Sequence, residues 1–139
     1  KAINSCNRAI YYDEKDAEAY SLRGVAYSGK NNADQAIADE SKAIELNPSL
    51  ADAYQRRAVA RAAKGQIAEA LADLGKALQL NPQHAEALCD RAVVYALNGD
   101  IPRSMADLDT ALAAHPKCRR AVLLQGMSLL NQQNFDAAK

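Results

Sequence analysis

The chain lacks tryptophan altogether, has a single phenylalanine, and contains no apolar run near the roughly 20 residues that a membrane-crossing helix needs. No membrane span is expected. Charge of either sign in excess is also missing: 17 basic side chains stand against 17 acidic ones, and no long block of like charge breaks the balance. A nucleic-acid backbone and an anionic membrane surface both call for a positive field, so neither is expected as a partner. Cysteine is scarce. Cys6, Cys89 and Cys118 are too few and too irregularly spaced for a disulfide framework, and one thiol is left over in any pairing, so the count leaves the compartment open. The opening residues, Lys1-Ala2-Ile3, show neither an initiator methionine nor a signal-peptide pattern.

What is abundant is alanine and leucine, both strong helix formers. With 49% hydrophobic and 24% charged residues, the composition is that of a folded, soluble chain. Ala17-Glu18-Ala19-Tyr20, Ala51-Asp52-Ala53-Tyr54 and Ala85-Glu86-Ala87-Leu88 begin 34 residues apart. The same period separates Asn47-Pro48, Asn81-Pro82 and His115-Pro116, where the missing proline N–H forbids a preceding helix from continuing. A repeat of this length signals stacked units, each too small to bury its apolar face alone.

Numbering each unit from its first alanine, position 8 holds Gly24, Ala58, Ala92 and Gly126, position 20 holds Ala2, Ala36, Ala70 and Ser104, and position 27 holds Ala9, Ala43, Ala77 and Ala111. Small side chains at fixed places let two helices approach closely. Larger apolar residues recur between them: Tyr27, Tyr95 and Leu129 at position 11, Ile67, Ile101 and Phe135 at position 17, Leu74 and Leu108 at position 24. Apolar spacings of three and four predict two helices per unit, with Gly65 and Gly99 marking the turn between them. Pro102 falls at the start of a second helix, where its absent N–H costs nothing, and Asp100 is placed to cap it.

This pattern resembles the tetratricopeptide repeat family over nearly the whole chain. The resemblance implies an all-α fold, a right-handed α-solenoid of stacked antiparallel helix-turn-helix repeats. The register divides the chain into 1–16, a second helix of a truncated repeat; 17–50, 51–84 and 85–118, complete repeats; and 119–139, a first helix with the start of a second. Both ends then fall inside second helices, and a piece of a longer array is expected. The sequence departs from the family pattern at Arg61 (position 11), at Glu40 (position 24), at the arginines of position 7, and at Glu14 in place of the first proline.

Arg23 and Asp39, Arg57 and Asp73, and Arg91 and Asp107 lie 16 residues apart in successive units. Threefold repetition marks them as architecture, a ladder of ion pairs between helices, with a modest stability cost expected on breaking one. His84, Cys89, His115 and Cys118 match no compact zinc spacing, and nothing supplies an oxyanion site or orients a base, so no metal, cofactor or catalytic residue is assigned. Lys117, Arg119 and Arg120 read as a solvated helix start.

In the resembled family, successive first helices line a concave groove that grips protein or peptide segments. Carried over position by position, this implies a partner-binding set of Ser21, Gln55, Cys89 and Leu123 at position 5, Arg56, Asp90 and Leu124 at position 6, and Val25, Val59, Val93 and Met127 at position 9. The last row would give an apolar stripe, although valine there could equally pack against a neighbouring helix. The family's carboxylate clamp for chaperone tails is missing: its places hold Ser21, Val25, Arg56, Glu86 and Asp90, and the two acids would repel a C-terminal carboxylate. A protein-binding scaffold is therefore the leading function. Head-to-tail self-association through the terminal helices comes second, and a non-catalytic segment of a larger enzyme third.

Overall fold

Each unit-opening alanine starts a helix, and Pro48, Pro82 and Pro116 each follow one. The computed structural model describes residues 1–138, the side chain of Phe135 excepted. The helices are α1 (Ala2–Tyr12), α2 (Ala17–Gly29), α3 (Ala33–Leu46), α4 (Ala51–Ala63), α5 (Ile67–Leu80), α6 (Ala85–Leu97), α7 (Ile101–Ala114) and α8 (Arg119–Ala137). The described residues form no strand. Two compact units divide the chain, residues 1–81 and 82–139. In the first, α2 pairs with α3 and α4 with α5, while α1 packs on α2 and α3 on α4. In the second, α6 pairs with α7, and both touch α8.

The 34-residue period governs the helix ends as well as the sequence. Asn47, Asn81 and His115 each donate a backbone N–H to the alanine carbonyl four residues back, at 2.8, 2.9 and 2.8 Å, before proline stops the helix. Asp16, Asn32 and Asp100 accept the backbone N–H three residues on at 3.0, 3.3 and 3.2 Å, and Nδ1 of His84 does the same for Ala87. These caps satisfy donors that the helix itself cannot. Pro102 sits in the first turn of α7, as its missing N–H allows.

Between the helices of each complete pair one residue turns left-handed: Asn31 at φ 58°, Gly65 at 79° and Gly99 at 82°. The N–H that follows returns to the carbonyl of Tyr27, Arg61 or Tyr95 at 2.8–2.9 Å, which closes the helix end. Gly65→Ala and Gly99→Ala should each cost about 1 kcal/mol, because a Cβ is strained at positive φ. Unchanged urea midpoints for both variants would show that the turn tolerates a side chain. One period on, the place is held by Gln133, which has no ease at positive φ. There α8 runs on to Ala137 instead of breaking into a first helix and the start of a second. The expected second-helix start at Phe135, as a side chain, and Lys139 lie outside the described residues.

The small residues are the core. Ala36, Ala70 and Ser104 at position 20, Ala43, Ala77 and Ala111 at position 27, and Ala58 and Ala92 at position 8 are all at most 1% exposed. Leu74 and Leu108 fill the space between them, equally buried. Truncating either leucine to alanine would leave a cavity worth roughly 2–5 kcal/mol.

Candidate functional site

The first helices carry two layers of side chains, a buried polar layer and an exposed apolar one. In the polar layer, Nε and Nη2 of Arg23 both donate to Asp39, those of Arg57 to Asp73, and those of Arg91 to Asp107, all at 2.7–2.9 Å. The expected ladder is therefore present as bidentate pairs. It is more buried than an ordinary surface pair, since the three aspartate side chains are only 6%, 6% and 9% exposed. Hydrogen bonding to the aspartate raises the arginine pKa in each case, against the opposing effect of burial. The guanidinium also lies over an aromatic ring: Arg23 over Tyr20, Arg57 over Tyr54, and Arg91 over Tyr95.

The same position reaches toward the preceding second helix. Arg23 Nη1 donates to Asn7 at 2.8 Å and Arg57 Nη1 to Ser41 at 3.1 Å, while Gln125, which takes the arginine's place in the last repeat, donates to Asp109 at 2.7 Å. Asn7, Ser41 and Asp109 are themselves 34 residues or a multiple of 34 apart. Arg23 and Arg57 thus each tie a first helix both to its own partner helix and to the one before.

Of the position 5 and 6 residues, Ser21, Gln55, Cys89 and Asp90 are 3%, 7%, 1% and 7% exposed. They lie beneath the surface and can shape it, but offer little area themselves. Asp90 pairs with Arg120 of α8. Burial pushes the Cys89 thiol up to about 11, and the hydrogen-bonded neighbour Cys118 adds to the effect. The upper layer is apolar. Val25, Val59 and Leu22 are exposed in the first unit, and Leu123 and Met127 in the second, where Val93 and Leu124 are half-buried. Val93, Leu97, Leu108, Leu124, Met127 and Leu130 help to line an open cleft of about 420 Å³ among α6, α7 and α8.

Reasoning from the repeat missed one cluster. Glu40 stands where Leu74 and Leu108 stand in the other complete pairs, and it is just as buried, at 1% exposure. The Ser21 hydroxyl donates to its Oε2 at 2.6 Å, Ser21 in turn accepts from Arg56 Nη1 at 2.8 Å, and Oε1 has no hydrogen-bond partner. Burial raises its pKa to about 7, against the opposing pull of the Ser21 hydrogen bond and the Arg56 charge. Gly24 makes room for it: a Cβ there would lie 2.9 Å from Oε1. The signal was legible as one departure, glutamate at position 24, in the same repeat as the glycine that position 8 holds at Gly24.

Among the described residues no group of three or more histidine, cysteine or acidic side chains is placed to hold a metal ion. Nor is any helix among them long and apolar enough to cross a membrane.

Three family models match the chain, one described as a TPR repeat over residues 58–99 and two as tetratricopeptide repeats over 17–50 and 98–138. Among curated proteins no sequence match is found. Solved structures with a similar fold include MamA, at TM-score 0.82 and 21% identity, covering 94% of this chain and 77% of that one. A thermophilic TPR protein of Thermus thermophilus matches at TM-score 0.83 and 23% identity, covering 93% and 72%. The first TPR of Spaghetti, bound to the HSP90 peptide SRMEEVD, matches at TM-score 0.80 and 20% identity, covering 87% and 96%. Likenesses at this identity concern the fold alone, but the helix period, the buried small residues and the three family matches agree: the chain belongs to the tetratricopeptide repeat family.

Proposed function

We propose that this chain is a protein-interaction scaffold that binds a peptide or protein segment on the exposed face of its first helices. The observation that carries this reading is the apolar layer itself. Leu22, Val25 and Val59, and in the second unit Leu123 and Met127, remain exposed in a fold whose complete helix pairs bury their small repeating residues. Exposed apolar side chains above an ordered, paired polar layer offer area to a partner at little cost in ordering. Val93 and Leu124 extend that layer in the second unit, and Arg56 lies at its edge in the first. Ser21, Gln55, Cys89 and Asp90 act from beneath by holding the helices in place.

The chaperone-tail ligand of the Spaghetti structure is not part of the proposal. The family's clamp places here hold Ser21, Val25, Arg56, Glu86 and Asp90, of which Ser21 and Asp90 are buried and two are acids.

Val59→Glu and Val93→Glu test the reading in the two units separately. Each should weaken capture of a partner by at least about tenfold, since a charge would be desolvated against an apolar surface, while the circular dichroism spectrum stays unchanged. Undiminished capture by both variants would move the binding face elsewhere.

A further inference from the structure

Ser21, Glu40 and Arg56 join three helices of the first unit through one chain of hydrogen bonds. Arg56 on α4 donates to Ser21 on α2, and Ser21 donates to Glu40 on α3. Glu40 is buried and one of its oxygens is unpartnered, an arrangement that suits the neutral acid better than the carboxylate. We propose that these three residues form a proton-linked anion site, in which Arg56 receives a carboxylate side chain of a bound peptide and Glu40 sets the charge of the site by holding or releasing its proton. This rests on the groove reading above and names the chemistry of one part of it.

The charges around Glu40 leave Arg56 for this role. From α4, Arg56 and Arg57 favour the ionised form of Glu40, and on its own helix Asp39 opposes it. Arg57 is held by Asp73, which it shares with Arg61, and Arg23 of α2 by Asp39, so both guanidinium groups are already engaged by a carboxylate. Arg56 is half-buried and bonds to a hydroxyl rather than a carboxylate. With Glu40 ionised, the three side chains sum to zero. With Glu40 protonated, they carry one positive charge beside the exposed Leu22, Val25 and Val59.

A carboxylate arriving at Arg56 repels a charge on Glu40, so ligand and proton each favour the other, and the coupling is reciprocal. Burial places the Glu40 titration at about pH 7, where small changes in pH shift its charge. Glu18 and Asp52, exposed on the same first helices, disfavour a polyanion. The ligand that fits is a single acidic residue flanked by apolar ones.

The test uses the full chain and two acetylated, amidated pentapeptides, one with glutamate between pairs of leucines and one with glutamine in its place. Dissociation constants are measured at pH 6 and pH 8. The glutamate peptide should bind about fivefold more tightly at pH 6, the low end of a typical coupling between sites, while the glutamine peptide changes little. Glu40→Gln should bind the glutamate peptide equally well at both pH values. Arg56→Gln should lose the preference for glutamate over glutamine. Equal affinities for the glutamate peptide at both pH values, or a pH dependence that survives in Glu40→Gln, would overturn the proton link and leave the groove reading standing. Failure of both peptides to bind at millimolar concentration would overturn the two together.

Discussion

Replacing Glu40 by leucine should raise stability by about 3 kcal/mol at pH 8, with a smaller gain near pH 5. The folded carboxyl group titrates at about 7, against an ordinary value of 4.5, so the folded chain holds an extra proton between those two values. Stability therefore falls as pH rises through that window and levels off above it. Each pH unit inside the window contributes about 1.4 kcal/mol, for a full span of about 3 kcal/mol. Leucine has no charge to desolvate and restores the residue found at the equivalent places, Leu74 and Leu108. Against this stands the loss of the Ser21 hydrogen bond, about 1 kcal/mol, offset by the added apolar burial. Gly24→Ala should be destabilising beside Glu40, because the buried carboxyl cannot swing clear of a Cβ 2.9 Å from Oε1, and tolerated beside leucine. Urea unfolding of the two single variants and the double variant between pH 5 and pH 8 measures both effects. A Glu40→Leu gain that does not change with pH would show that the carboxyl group is not held neutral by its surroundings.

Asp73→Ala should cost about 3 kcal/mol, more than the equivalent changes at Asp39 or Asp107. Asp73 accepts from Arg57 twice and from Arg61 once, at 2.7–2.9 Å, whereas Asp39 and Asp107 each serve one arginine. Removing it strands two guanidinium groups whose side chains are 16% and 23% exposed. A half-buried cation without its partner costs far more than a broken surface pair. The modest effect expected from sequence spacing alone is therefore revised upward. Replacing Asp73, Arg57 and Arg61 together by apolar residues should recover most of the loss, because no stranded charge remains. Equal urea midpoints for Asp73→Ala and the unaltered chain would reduce the ladder to surface decoration.

Much of this protein is written in the 34-residue period. Helix starts at Ala17, Ala51 and Ala85, stops before Pro48, Pro82 and Pro116, and glycine turns at Gly65 and Gly99 are local decisions of the backbone, so neighbouring residues suffice to reveal them. The arginine–aspartate pairs were legible for a different reason. Repetition places the same two residue types at the same separation three times, and packed hairpins bring that separation into contact.

Exposure was not legible. Positions 5, 6 and 9 share one expected binding face, yet Ser21, Gln55, Cys89 and Asp90 are buried while Val25, Val59 and Met127 are exposed. Residues one turn apart on a helix differ in depth according to how the next helix leans on them, and spacing does not carry that information. The continuation of α8 past Gln133 belongs to the same class: a period locates a turn, but the residue standing there decides whether the backbone can make it.

The sequence by itself thus determined the family, the three complete helix pairs and the ladder, because each follows from short-range backbone preference repeated at a fixed interval. Tertiary structure alone decided which first-helix side chains meet solvent and how deeply the ladder is buried. It also decided that Glu40 lies closed in against Ser21 and Gly24 with its titration moved to about pH 7. Depth, desolvation and the meeting of distant polar groups arise from packing between helices, and only the assembled helices fix them.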